Sequence, residues 1–226
     1  MKKVLTLLLS LSLIFSFSVT ASAASPMTFD EAKSYLQNYS VTKENSLGKG
    51  YTTQYVFDSE EDLNKAAAYI AENGLDAFNE SLEAAIATAV ANEPQRTLIM
   101  PRTTDPTTVF KTVSSDGNHY LSGEAYGLAS FDTLGTVEYL VELGYRVTVS
   151  NGKFTDLTSI SFDIPTISAA GSWGDTSFPS HCLDYNCGVT ANYVITKTVE
   201  IGIGDFSFEI KAETDNEIFA LLTSIV

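Results

Sequence analysis

The sequence predicts an α+β protein, with a small helical N-terminal region followed by an antiparallel β-sandwich or partly closed β-barrel. Three observations predict it. Apolar stripes at helical spacing, with cap signals, fill the stretch before Glu93. Strict period-two alternation takes over after Pro106, and turn dipeptides divide that second part at short intervals. Turns this short join antiparallel neighbours, which favours a sandwich or barrel over a parallel sheet.

Thr28 followed by Glu31 has the spacing of a capping box and predicts a helix over Phe29 to Tyr39. Asp58 with Glu61 repeats the device. The helix it opens places Leu63, Ala66, Ala67 and Ile70 on one face and stops at Asn73-Gly74. Leu75, Phe78, Leu82, Ile86, Ala89 and Val90 form the stripe of a third helix, which ends before Pro94. Tyr51 to Phe57 reads as an extended piece between the first two helices. Pro94, Pro101 and Pro106 break all periodicity, so residues 94–106 read as a linker with exposed cleavage points at Arg96 and Arg102.

Beyond the linker, residues 107–226 read as strands. Val137, Tyr139, Val141, Leu143, Tyr145, Val147 and Val149 alternate without a break, which no helix could place on one face. Asn151-Gly152 follows, the dipeptide favoured in two-residue hairpins because both positions adopt positive φ. That turn pairs Ser150 with Lys153 and Val149 with Phe154. Carried on unchanged, it pairs Leu143 with Ile160, Val141 with Phe162 and Tyr139 with Ile164. Asp116-Gly117 suggests a second hairpin joining Thr107–Ser114 to His119–Phe131. Val189 to Ile203 and Phe206 to Ile210 flank Gly204-Asp205 as a third, and Asn216 to Val226 completes the sheet.

Residues 1–24 carry the three parts of a signal peptide in order: basic Lys2 and Lys3, an apolar run from Val4 to Phe17, and Ala21-Ser22-Ala23. The run is too short to span a hydrocarbon core comfortably, so cleavage leaves a soluble, secreted chain beginning at Ala24 or Ser25, with no stable membrane anchor. The layout resembles a Gram-positive bacterial signal peptide. The domain plan is therefore a signal peptide (1–24), a mostly helical region (25–93), a linker (94–106) and a β-domain (107–226).

Lys and Arg number 13 against 28 Asp and Glu, a formal charge of −15 that deepens when Lys2 and Lys3 are removed. Such a chain repels polyanions, and Arg96, Arg102 and Arg146 form no basic stripe, so nucleic acid is not an expected partner. Cys182 and Cys187, in the segment Ser180-His181-Cys182-Leu183-Asp184-Tyr185-Asn186-Cys187, read as a disulfide closing a small loop worth about 2 kcal/mol. A metal site built from His181, Cys182, Asp184 and Cys187 would crowd all its ligands into one loop, and the disulfide is the better reading.

No catalytic constellation, cofactor motif or metal motif stands out. The two histidines, His119 and His181, lie in a turn and beside a disulfide. Glu138 and Glu142 share a strand face, with Glu124 and Asp163 as further carboxylates. Four residues of strand set Glu138 and Glu142 roughly 13 Å apart, too far for paired glycosidase chemistry. The segment Gly171 to Gly188 gathers the sole tryptophan, Trp173, with Phe178, His181 and Tyr185. It reads as a loop carrying a ligand site, or as a Trp173 plug at one end of the sheet. The functional expectation is a secreted, non-catalytic binding or interaction protein with an unknown extracellular ligand. The alternative is a secreted effector with a helical pro-region, either a membrane-active β-protein or an unfamiliar hydrolase.

Overall fold

The computed structural model describes residues 26–93, 108–168 and 171–226. The expected signal peptide (1–24) and the expected linker (94–106) lie outside the described residues. The described chain is mostly β, with three α-helices and two sheets that do not close into a barrel.

Helix α1 (Phe29–Gln37) opens with the full capping box: the Thr28 hydroxyl accepts from the Glu31 amide, and the Glu31 carboxylate accepts from the Thr28 amide. Helix α2 (Glu60–Asn73) starts one residue later than its sequence signal, because the Ser59 hydroxyl accepts from the Asp62 amide and takes the cap from Asp58. Gly74, at φ 89°, ends α2 and leads directly into α3 (Leu75–Asn92). Two strands lie between α1 and α2. The extended piece forms β2 (Gly50–Val56), and a short β1 (Ser40–Glu44), which had no clear alternation, pairs antiparallel with it.

The larger sheet is organised around β9 (Asn186–Ile203). Along one edge of β9 run β10 (Phe206–Thr214) and then β11 (Glu217–Ile225), both antiparallel to it. Along the other run β7 (Gly171–Ser177) and β8 (Ser180–Leu183). Strand β2 pairs with β10, so the N-terminal region and the C-terminal strands belong to one sheet. The odd residues of β9 from Cys187 to Ile203 are all buried. Its C-terminal half packs under α3, and the adjoining β10 meets the helices through Tyr69 against Phe206 at 5.9 Å and Phe78 against Phe208 at 6.2 Å. Residues 26–93 therefore share one core with the rest and are not an independent packing unit.

Under the N-terminal half of β9 lies the second sheet, β4 (Gly117–Ser130), β5 (Thr136–Ser150) and β6 (Lys153–Ile167). The alternating face of β5, from Val137 to Val149, is buried against the larger sheet. Tyr139 meets Tyr193 edge-on at 6.0 Å, and the Tyr145 hydroxyl reaches Thr223 Oγ1 at 2.6 Å and donates to the Leu221 carbonyl at 3.3 Å. At the C-terminal end of α3, Glu93 Oε2 lies 2.7 Å from Nζ of Lys197, whose side chain has no exposed surface.

Three expectations need correction. The Asp116-Gly117 dipeptide does not make a hairpin: β3 (Thr108–Val113) pairs parallel with β11 in the larger sheet, while β4 pairs with β5 in the smaller one. The chain changes sheets there, and not every pairing is antiparallel. Second, the β5–β6 register begins as expected, with Asn151 and Gly152 both at positive φ, Ser150 opposite Lys153 and Val149 opposite Phe154. It then slips by one residue at each of three irregularities, so that Leu143 faces Phe162 and Tyr139 faces Ile167. Each extra β6 residue is a bulge, and Ser159 sits at φ 55° in one of them. Third, Gly171 to Gly188 is not a loop but β7, β8 and the turn into β9.

Asp116 has another use. Its carboxylate accepts from the Asn151 amide at 2.8 Å and the Gly152 amide at 2.9 Å, clasping the β5–β6 turn. These two bonds, the Gly152 one first, hold its carboxyl below the ordinary range. A lowered carboxyl pKa contributes stability above the unfolded value near 3.8 and loses it as pH falls through the folded value. Asp116→Asn should therefore speed hydrogen exchange of the Asn151 and Gly152 amides at neutral pH. In the parent chain the same acceleration should appear only below the ordinary carboxylate range.

Candidate functional site

The four residues singled out by sequence do not converge. Trp173 pairs with Ile195 and points toward the second sheet, where its ring meets Phe162 at 5.4 Å. Phe162 also contacts Phe178 at 5.5 Å and Tyr193 at 5.3 Å, so Trp173 and Phe178 belong to one aromatic cluster along the flank of the core. Trp173 keeps 37% of its surface exposed and covers that flank rather than an end of the sheet. His181 pairs with Gly188 and faces the opposite side, where it and Leu222 flank that glycine. Seven residues of β9 separate the Trp173 and His181 pairings, about 23 Å at ~3.3 Å per residue. Tyr185 is 61% exposed at the β8–β9 turn, with Lys153 Nζ 5.8 Å from its ring centre. Cys182 and Cys187 are register partners and form the disulfide, leaving no free thiol. The sulfurs that the metal reading needed are committed to that bond, and no group of His, Cys, Asp and Glu among the described residues is arranged to hold a metal ion.

The second sheet presents a different arrangement on its outer face. Alternation turns the even residues of β5 outward, and the register aligns them in rows across three strands. Glu124, Glu142 and Asp163 form one row; Ser122, Gly144 and Ser161 form the next; Tyr120, Arg146 and Thr158 form the third. Tyr120, Ser122, Glu142, Gly144, Ser161 and Asp163 line a shallow depression of about 140 Å³ on that face.

Gly144 shapes that depression. A Cβ at this position would stand 2.3 Å from the Tyr120 hydroxyl and 2.9 Å from Tyr120 Cζ, so the phenol crosses the backbone of β5 where a side chain would block it. The hydroxyl reaches Ser161 Oγ on β6 at 3.2 Å, and the Ser161 hydroxyl in turn donates to the Gly144 carbonyl at 3.3 Å. The Tyr120 ring is thereby held at both ends, by its own backbone on β4 and by Ser161 on β6, while 58% of the residue stays exposed. Its neighbours Glu142 and Asp163 carry carboxylates on adjacent strands, a pairing that distance along one strand could not show. Glu138, which shares a strand face with Glu142, takes no part in the lining. His119 lies outside it too, with Nε2 2.9 Å from the Ser115 carbonyl.

No known family model, characterised protein or solved structure matches this chain, so its own geometry carries the functional reading. Among the described residues, no helix is long and apolar enough to cross a membrane.

Proposed function

We propose that this is a secreted, non-catalytic binding protein, built as a two-sheet sandwich, whose ligand site is the outer face of β4–β5–β6. The observation that carries the reading is the pinned Tyr120 ring, exposed over Gly144 beside Ser122, Glu142 and Asp163. An aromatic face with a few convergent polar groups, fixed on a rigid sheet, binds without first having to order itself. The disulfide suits an oxidising exterior, and the acidic charge keeps the exported chain soluble.

The test is retention without turnover. Columns carrying a neutral glucan, spermidine or a tetrapeptide should retard the purified chain on at least one matrix. The ligand should be recovered intact, and dye-loaded liposomes should keep their contents before and after trypsin treatment. Dye release would instead support the membrane-active effector, cleaved ligand would support a hydrolase, and passage through all three columns would count against binding at this face.

A further inference from the structure

Resting on that reading of the outer face, we infer that its ligand is a neutral oligosaccharide, with a pyranose ring stacked on Tyr120. The phenol lies across β5, tethered to Ser161 on β6, and its free side faces solvent. A pinned, solvent-facing aromatic plane suits the apolar C–H face of a sugar ring, because burial of that face is gained without loss of side-chain freedom. The groups around it fit the rest of a sugar. Glu142 and Asp163 accept hydrogen bonds from hydroxyl donors, and such charge-assisted bonds are roughly twice as strong as neutral ones. Ser122 and Ser161 add hydroxyls able to donate or accept, and Arg146, the register partner of Tyr120, adds donors on the same face.

The arrangement also selects against other ligands. Phosphorylated or sulfated chains would bring anions against the Glu124, Glu142 and Asp163 row on a protein of charge −15. The depression, at about 140 Å³, is too small to enclose a drug-sized molecule and is open to one or two units of a longer chain passing over it.

Isothermal titration with cellohexaose, chitohexaose and maltohexaose, and with spermidine as the cationic comparison, tests the inference. At least one hexasaccharide should bind. Tyr120→Ala should weaken that binding by roughly tenfold or more, while Tyr120→Phe, which keeps the plane and loses the Ser161 contact, should weaken it only a few-fold. Glu142→Gln should reduce it as well. Phe110→Ser, at an aromatic on the other sheet that is 74% exposed, should leave it unchanged and controls for loss of surface apolarity. Circular dichroism confirms that each variant folds. Absence of hexasaccharide binding, or wild-type binding by Tyr120→Ala, would overturn the inference. Spermidine binding that is lost in Glu142→Gln and kept in Tyr120→Ala would also overturn it, while leaving the outer face as a binding site.

Discussion

Phe208→Ala should cost about 4 kcal/mol and lower one cooperative unfolding transition along its whole length. The side chain is buried on β10, and its ring lies 5.0 Å from Phe57, 5.2 Å from Tyr55, 6.2 Å from Phe78 and 6.4 Å from Phe206. Those partners come from β2, the segment after it, α3 and β10 itself, so truncation opens a cavity where the N-terminal and C-terminal halves of the chain meet. A loss of this size is a large part of the 5–15 kcal/mol typical of a domain. Because β2 is hydrogen-bonded to β10, the helices should not melt separately. Urea unfolding followed by far-ultraviolet dichroism and by tyrosine fluorescence should give coincident midpoints, both lowered in the variant. Two transitions, of which only one moves, would mean that residues 26–93 form their own unit after all.

Glu93→Ala should cost about 3 kcal/mol. Lys197 lies on the buried face of β9 with no exposed side-chain surface, and Glu93, 26% exposed, is the carboxylate that faces its ammonium. Removal of the glutamate leaves a buried cation without its counter-charge, and that penalty exceeds the worth of the pair itself. Combining the change with Lys197→Met removes the stranded charge, so the double variant should recover most of the loss. A single-variant loss under about 0.5 kcal/mol, or a double variant no more stable than the single, would show that Lys197 finds water or another partner easily.

What was legible in the sequence followed the local rules. The Thr28 capping box, the Gly74 stop, the alternation of β5 and the Asn151-Gly152 turn each depend on residues a few positions apart, and each is where the pattern put it. Register over long distances was not legible. A β-bulge leaves no periodic mark in a strand as rich in serine and threonine as β6, and three of them displace every partner from Thr148 onward. Asp116-Gly117 looked like a turn signal, yet Asp116 holds a different turn and Gly117 opens β4 after the chain has changed sheets.

The candidate site was hidden for the same reason. Trp173 stood out because tryptophan is rare here, but rarity carries no geometry, and its ring closes the flank of the core against Phe162. Tyr120, Gly144 and Ser161 are unremarkable in the sequence and become a unit only through the β4–β5 and β5–β6 ladders, one misassigned and the other slipped. Spacing along β5 relates Glu142 only to Glu138, whereas its neighbours across the sheet are Glu124 and Asp163 on the strands beside it.

If the outer face of the second sheet is the binding site, it should carry the ligand contacts and the β7–β8 side should not. Amide NMR of the isotope-labelled chain during titration with the hexasaccharide that binds most tightly tests it most directly. Shifts should concentrate at Tyr120, Ser122, Glu142, Gly144, Ser161 and Asp163, and saturate together with the calorimetric isotherm. Shifts confined to Trp173, Phe178, His181 and Tyr185, with the Gly144 and Ser161 amides unmoved at saturation, would contradict it.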